Sequence, residues 1–172
     1  MGETTQQGDA LRKAFLDGMR RSASAVTVVT TDGPAGRAGV TVSAMTSVSA
    51  DGDEPTMLTC PNAASSVLPL VLDNGCLCIN VLQSAQTAIS DIFPSRSPAP
   101  GGDKFTAVEI FTAATGAPCL TQALVSFDCK LLSAERIGTH HICIGAVKAV
   151  HVAPDGEPLL YGMRRYLRAV AH

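Results

Sequence analysis

The chain has 172 residues, of which 46% are hydrophobic and only 16% are charged, and this composition excludes a disordered protein. A formal net charge of −2 leaves no basic field for DNA or RNA, so no nucleic-acid partner is expected. The length fits a single domain spanning residues 1–172, and no internal repeat or domain boundary is found.

A helix and a strand are predicted first along the chain. Residues 1–8 are polar, do not resemble a signal peptide, and are predicted to form a disordered tail. A helix is predicted over residues 9–24, starting at Asp9, because apolar residues recur every fourth position. β-Branched residues then predict a strand over residues 26–31, which ends at a turn. No apolar run reaches the roughly 20 residues of a membrane helix, so a cytoplasmic protein without a membrane partner is predicted.

The run from Val40 to Ser49 is predicted to be one strand, within residues 37–49, whose two faces differ in chemistry. Its apolar face includes Val42 and Val48, while the opposite face carries the hydroxyl groups of Thr41, Ser43, Ser47 and Ser49. Such a wall suits a flat ligand with polar groups at its rim. The alternative is an ordinary half-buried strand whose hydroxyl groups face water.

The remaining elements are mostly strands. Short helices are predicted from Ser65 to Leu72, where Asn74-Gly75 forms a left-handed cap, and from a Ser84 cap to Phe93. Residues 94–103 form the one long loop. Strands are predicted at 56–60, 76–82, 123–134, 139–152 and 159–161, and the basic tail over residues 163–171 is compatible with a helix. This order, without alternating βαβ units, favours an antiparallel barrel.

Six cysteines occur without any C-x-x-C pair and are predicted to be reduced, buried, small hydrophobic residues. No metal site is expected, because clustered ligands at zinc-site spacings are absent. A Rossmann-type dinucleotide fingerprint and a P-loop are absent as well.

Three further segments carry candidate chemistry. The segment Asn62–Ser66 joins a strand end to a helix start, where backbone N–H groups and serine hydroxyls can bind a phosphate, or where a serine simply caps the helix. The segment Gly101–Phe105 brings a lysine and an aromatic ring on a flexible loop, or is a plain glycine turn. In Gly138-Thr139-His140-His141 only one histidine can face a given site, because adjacent strand residues point to opposite faces.

Taken together and in this order, these segments resemble the short-chain flavin reductases, the reductase partners of two-component flavin monooxygenases. The resemblance covers roughly residues 11–168 and rests on Ser24–Thr31, Thr41–Ser49, Asn62-x-x-Ser65-Ser66, Gly102–Phe105 and Gly138–His141. It implies a mainly β fold with short helices, a homodimeric split β-barrel of the Greek-key, FMN-binding type. It also implies FMN or FAD as cofactor and NADH or NADPH as hydride donor.

The resemblance also implies roles for individual residues. His140 would lie beside the nicotinamide and orient it, since hydride transfer needs no base. Lys104 and Phe105 would close over the flavin, and Tyr161 and Arg164 would lie at the C-terminal rim. The flavin ring and ribityl phosphate would contact a larger set: Thr27, Ser43, Ala44, Met45, Thr46, Ser47, Asn62, Ser65 and Ser66.

The chain departs from the family pattern at the rim of the site. Related chains often carry a Trp after the Asp-Lys-Phe motif, where this chain offers only Phe111, and often carry adjacent tyrosines where Gly162 follows Tyr161 here. The electron acceptor therefore stays open at this point. The main prediction is an NAD(P)H:flavin oxidoreductase that supplies a monooxygenase. The alternatives are a flavoenzyme that reduces a cobalt corrin, a flavin-binding electron-transfer module without catalysis, and a plain interaction barrel.

Overall fold

The computed structural model describes residues 2–93 and 103–170, with side chains described from residue 8 onward. Three α-helices lie in these ranges: α1 (Gly2–Arg21), α2 (Val67–Asn74) and α3 (Thr87–Ile92), with a 3-10 turn at Lys104–Ala107. The strands are β1 (Ser24–Ala25), β2 (Thr27–Thr31), β3 (Ala38–Val42), β4 (Met45–Ser49), β5 (Thr56–Thr59), β6 (Cys76–Val81), β7 (Ile110–Thr112), β8 (Pro118–Leu120), β9 (Val125–Ile137), β10 (His140–Val152), β11 (Leu160–Gly162) and β12 (Arg165–Leu167).

Seven strands form one antiparallel sheet in the order β3-β2-β6-β9-β10-β5-β4. Strands β3 and β4 follow each other in the chain with only Ser43 and Ala44 between them, yet they are the two edges of this sheet. Three Cα–Cα steps separate Val42 from Met45 and span at most about 11 Å, so the sheet is curved enough to bring the end of β3 close to the start of β4. The mainly β, antiparallel prediction is confirmed.

The core lies on both faces of the central strands β2 and β6, whose residues are all buried. One cluster packs Val28, Leu82, Phe93 and Phe105 together, and a second packs α2 against the opposite face. Burial on both faces explains why these strands read as continuous apolar or β-branched runs rather than alternating ones. The prediction of buried, reduced cysteines holds for five of the six, while Cys60 is half-buried.

Local patterns placed most elements, but several boundaries were wrong. Helix α1 begins at Gly2 rather than Asp9, and so covers most of the tail predicted to be disordered. The predicted single strand over 37–49 is two strands, and Val48 lies at an irregularity of the β4–β5 pairing with its side chain exposed. The predicted alternation is interrupted at Ser43–Ala44, where the chain passes from one sheet edge to the other, and again at Val48, where the register of the β4–β5 pairing shifts.

Two other predictions fail for reasons of long-range pairing. Helix α3 starts after Gln86 without a side-chain cap, so Ser84 is not its cap. The backbone N–H of Ser84 donates instead to the carbonyl of Glu157, which is far away in the sequence. The C-terminal segment forms strand β12 against β11, where a helix was considered, because Tyr161 and Tyr166 face each other across that ladder. Strands β7 and β8 were not predicted, and most of the loop at 94–103 lies outside the described residues.

Candidate functional site

The two edges of the sheet meet at Ser43 and Ala44, and this junction leaves hydrogen-bond donors unused. The Ala44 carbonyl accepts from the Cys60 N–H at 3.2 Å and from the Thr59 hydroxyl at 3.0 Å. Within the described part of the chain, the N–H groups of Ser43 and Ala44 donate to no other group. Both residues are exposed, so these donors are available to a ligand.

A cleft opens directly beside this junction. It has a volume of about 330 Å³, and we call it the histidine cleft. Its walls are Val40, Thr41, Val42, Ser43, Ala44, Cys60, Asn62 and His140. Three of the predicted motifs therefore meet here, although they lie far apart in the sequence. None of the lining residues is Lys or Arg.

Backbone hydrogen bonds hold the Asn62 loop and the His140 turn together. Ala63 N–H donates to the Thr139 carbonyl at 2.9 Å, and His141 N–H donates to the Pro61 carbonyl at 3.0 Å. His140 is exposed, and its Nδ1 lies 3.0 Å from the Thr139 hydroxyl. That contact restrains the imidazole ring at the mouth of the histidine cleft.

Two more clefts adjoin the histidine cleft at Ser43. The tyrosine cleft, about 340 Å³, is lined by Val26, Thr41, Val42, Ser43, Ser90, Asp91, Tyr161 and Tyr166. The arginine cleft, about 280 Å³, is lined by Leu16, Met19, Arg20, Ser22, Ser24, Ser43, Tyr161, Gly162, Met163 and Arg164. Ser43 lines all three clefts, and Tyr161 lines the last two.

The wall of the tyrosine cleft is fixed by hydrogen bonds between α3 and β12. The Tyr166 hydroxyl lies 2.6 Å from Asp91 Oδ1 and 3.0 Å from the Ser90 hydroxyl. Burial and then the hydrogen bond to Asp91 raise the pKa of Tyr166, because both disfavour the phenolate. Tyr166 therefore stays a neutral donor at ordinary pH and holds α3 against the C-terminal hairpin.

Several predicted residues support the clefts without lining them. Thr27 is fully buried, and its hydroxyl donates to the Val42 carbonyl at 3.0 Å. Met45 packs into the second core cluster, and Ser65 is buried with its hydroxyl accepting from Val67 N–H. Thr46, Ser47 and Ser66 are exposed and line none of the three clefts.

Lys104 and Phe105 lie away from the three clefts in this structure. Phe105 is buried and packs edge-on against Phe93 with ring centroids 5.3 Å apart, while the Arg37 guanidinium lies 5.4 Å from its ring centroid. Half-burial lowers the pKa of Lys104. The prediction that this pair closes over a flavin therefore stays untested, with Phe105 acting here as a core residue.

Sequence reasoning missed the residues that complete the adjoining clefts. Arg20, Ser90, Asp91 and Tyr166 reach the site from α1, α3 and β12. In the sequence they occur in segments that look like an amphipathic helix or a polar tail, so no local pattern identifies them as site residues. They are brought together by the pairing of β11 with β1 and β12, and by hydrogen bonds that Thr41 donates to the carbonyl groups of Ser90 and Phe93 in the α3 region.

The histidine cleft fits a flat heteroaromatic ring with polar edges. The side chains of Val40 and Val42 pack into the second core cluster, so polar groups form much of the lining, and the unused N–H groups of Ser43 and Ala44 can meet ring acceptors. Across the described ranges, no group of three or more His, Cys, Asp or Glu side chains is placed to hold a metal ion. No described helix has the length and apolar character to cross a membrane.

Comparison with known proteins identifies a family for nearly the whole chain. Residues 19–169 match the family described as "Flavin reductase like domain". The chain is 41% identical over 166 residues to the FMN reductase (NADH) RutF of Stutzerimonas stutzeri strain A1501, covering 95% of this chain and 93% of that protein. It is 44% identical over 153 residues to RutF 2 of Methylorubrum extorquens strain PA1, covering 89% and 87%.

Solved structures agree with the sequence matches. The NADH:FAD oxidoreductase SgcE6 of Streptomyces globisporus C-1027 superposes with a TM-score of 0.82 at 26% identity, covering 94% of this chain and 92% of that one. BorF, the flavin reductase component of a bacterial two-component tryptophan halogenase, superposes with a TM-score of 0.80 at 27% identity, covering 96% and 99%.

Proposed function

The chain belongs to the flavin reductase-like family, and on that premise we propose that it is an NADH-dependent flavin reductase that supplies reduced flavin to a partner monooxygenase. The observation that carries the proposal is the histidine cleft. There the unused N–H groups of Ser43 and Ala44, the Asn62 amide and the His140 imidazole line one cleft. The named activity of the RutF relatives and the two-component systems among the structural neighbours support the same assignment.

The chain's contribution is alignment and hydrogen bonding. When bound, the flavin supplies the hydride acceptor. Ser43 and Ala44 N–H groups donate to the ring edge and stabilise negative charge there. His140 holds the nicotinamide amide, and no residue need act as a base, because hydride transfer removes no proton from the donor.

FMN and NADH are the preferred pair in this proposal. The relatives above 40% identity are named FMN reductases that use NADH, whereas the FAD-using neighbour is 26% identical. Asn62 and the first turn of α2, with Ser66 exposed there, would meet the FMN phosphate.

The assembly we propose is a homodimeric split barrel. Helix α1 exposes 72% of Leu11, 63% of Phe15 and 53% of Met19, and it is exposed along nearly its whole described length. A solitary helix of this kind is marginal in water, so an apolar partner surface is needed. A second copy of the chain would provide one.

An anaerobic titration tests the function. The purified protein is mixed with FMN, and NADH is added while the absorbance near roughly 450 nm, where oxidised flavin absorbs, is recorded. Catalytic bleaching is expected. Bound colour that NADH does not bleach would show a flavin carrier instead, and a protein that neither binds nor reduces flavin would refute the proposal.

A further inference from the structure

Two buried cysteines lie side by side in the interior, away from the three clefts. Cys78 of β6 is completely buried and Cys119 of β8 is 1% exposed, and their Sγ atoms lie 3.6 Å apart. Neither residue lines the histidine, tyrosine or arginine cleft. Hydride transfer in the proposed function therefore gives these two thiols no role. Their proximity suits them to a different reaction, the formation of a disulfide.

The two strands that carry these sulfur atoms are tied together by the buried side chain of Asn80. The Leu120 N–H donates to Asn80 Oδ1 at 2.8 Å, and Asn80 Nδ2 donates to the Pro118 carbonyl at 3.4 Å. Pro118 and Leu120 are the chain neighbours of Cys119, and Asn80 lies two residues after Cys78. The backbone therefore keeps the two thiols in contact. A disulfide needs the sulfur atoms to approach by only about 1.5 Å more, which side-chain rotation can supply.

The two thiols differ electronically, as a nucleophile and its resolving partner must. The Cys78 S–H donates to Cys119 Sγ. This hydrogen bond lowers the pKa of Cys119, because it stabilises the thiolate, and it raises the pKa of Cys78. Burial opposes the first of these shifts but is the smaller effect on Cys119. Cys119 therefore has the greater thiolate character, and the thiolate is the form that peroxides oxidise.

The side chain of Phe111 separates this pair from solvent. Phe111 is half-buried, packs against the apolar cluster that contains both cysteines, and lies edge-on to the ring of His151 with centroids 5.1 Å apart. It belongs to β7, which pairs only with β8 in a sheet of two strands. Elements with so few partners open locally more easily than a central strand does. A small oxidant can therefore reach the two thiols through this sheet while the main core stays folded.

We propose that Cys78 and Cys119 form an oxidative modification site, at which hydrogen peroxide converts the two thiols into a disulfide. The Cys119 sulfur attacks one peroxide oxygen, the O–O bond breaks, and a sulfenic acid and water are formed. The Cys78 sulfur then attacks the sulfenic sulfur, which releases a second water molecule and completes the disulfide. The two thiols lose two electrons and two protons, and one peroxide molecule becomes two water molecules.

The oxidant is a by-product that a flavin reductase meets in air. Free reduced flavin passes two electrons to O2, which becomes hydrogen peroxide, and this clause alone rests on the proposed function. The new bond would join β6 to β8 and enclose α3, which carries the tyrosine-cleft residues Ser90 and Asp91. Oxidation would thereby tie one wall of that cleft to the centre of the sheet.

Peptide mapping without a reducing agent tests the proposal. The full-length protein is treated with hydrogen peroxide under native conditions, its remaining thiols are blocked, and the digest is analysed by mass spectrometry. We expect a peptide that links Cys78 to Cys119 and that disappears after treatment with dithiothreitol. Because peroxide is added directly, this result does not depend on whether the protein reduces flavin, and the NADH titration tests that function separately.

Three variants make the test specific. Cys119→Ala should abolish the linked peptide, whereas Cys129→Ala, which removes another fully buried thiol, should leave its yield unchanged. Phe111→Ala should make the disulfide form several-fold faster, because it uncovers the cluster. A wild type that keeps both thiols under peroxide, or that forms the linked peptide only after unfolding in urea, would overturn the proposal. An unchanged rate in Phe111→Ala would refute the access route.

Discussion

His140 illustrates how much a single side chain depends on its backbone setting. The ring contacts Thr139 at 3.0 Å, and the turn that carries it is bonded to the Asn62 loop on both sides. The imidazole is therefore positioned before any ligand arrives, and in the proposed function this would lower the entropic cost of aligning the nicotinamide.

Removing this side chain should affect NADH more than flavin. We expect His140→Ala to lower kcat/KM for NADH about tenfold, corresponding to loss of one positioning hydrogen bond, with a smaller change in FMN affinity. The control is His151→Ala, which changes an exposed histidine of the same strand that packs against Phe111 outside the clefts. Steady-state kinetics with varied NADH make the comparison, and unchanged NADH kinetics would refute the assigned role.

The cysteines should differ sharply in reactivity. Burial raises the pKa of Cys129 to about 12 and that of Cys143 to about 11, so both remain neutral thiols inside the core. Burial also raises the pKa of Cys60, but this residue is half-buried and lines the histidine cleft.

We therefore expect iodoacetamide at pH 8 to modify Cys60 first in the native protein, and FMN to slow that modification. Peptide mass spectrometry measures the labelled site, with Cys60→Ser as the control that should remain unlabelled. Labelling of Cys129 at the rate of Cys60, or no effect of saturating FMN, would contradict this placement of Cys60.

Among the secondary-structure elements, strand β3 depends on the absence of a side chain at Gly39. A Cβ there would lie 2.7 Å from two ring carbons of Phe93, which is fully buried. Gly39→Ala should lower the free energy of unfolding by about 1–3 kcal/mol, because the clash outweighs the smaller gain from a stiffer unfolded chain. Gly18→Ala, in exposed helix with open space around it, should instead stabilise by up to about 1 kcal/mol. Urea denaturation measures both, and the same sign for the two variants would contradict the packing described.

In the turn between β11 and β12, substitution should stabilise the protein, because Met163 and Arg164 have the positive φ values of 49° and 60°. Replacing Met163 with Asn and Arg164 with Gly should raise the free energy of unfolding by about 1–2 kcal/mol, because both residues tolerate positive φ. Met163→Leu keeps the strain and serves as the control. A double variant that is less stable than wild type would argue against stored strain in this turn.

How far the sequence predicts an element depends on where its hydrogen bonds go. The helix predicted from Ser65 to Leu72 is present two residues later, at Val67–Asn74, and the predicted left-handed cap at Gly75 is confirmed. The break at Ser43–Ala44 could not be predicted, because the residues on either side both have strand propensity and only the closure of the sheet separates them. Strand β12 likewise depends on a partner, β11, rather than on its own polar sequence.

At the scale of the whole fold, helix α1 presents an exposed apolar stripe that includes four of the thirteen exposed large hydrophobic side chains among the described residues. Phe15→Glu should convert the proposed dimer to monomer, since it places a charge in the centre of the exposed apolar stripe. Lys13→Glu, on the polar side of the same helix, is the control and should leave the dimer intact. Sedimentation velocity measures the change. A wild type that sediments as a monomer would refute the proposed assembly.

The site as a whole was predictable in outline from the order of its motifs. Ser43, Asn62 and His140 were expected together, and they line one cleft. Which of the predicted site residues are accessible to a ligand was not predictable, because that depends on burial in the folded chain. Thr27 and Phe105 lie in segments predicted to form the site, but their side chains are in the interior. Arg20 carries no signal at all until the helix is placed against the C-terminal hairpin.

Because the two sheet edges are joined at Ser43 and Ala44, a ligand bound there would contact both edges and stabilise the folded sheet. A molecule bound by this junction and by His140 would join the connection between the edge strands β3 and β4 to the start of β10, which lies four positions from β3 and two from β4 in the sheet. Occupancy and stability then become one thermodynamic quantity, worth about 2.7 kcal/mol when free ligand exceeds its dissociation constant a hundredfold. Flavin bound at this junction would therefore resist unfolding of the sheet as well as serve the reaction, and thermal unfolding with and without FMN would measure that difference.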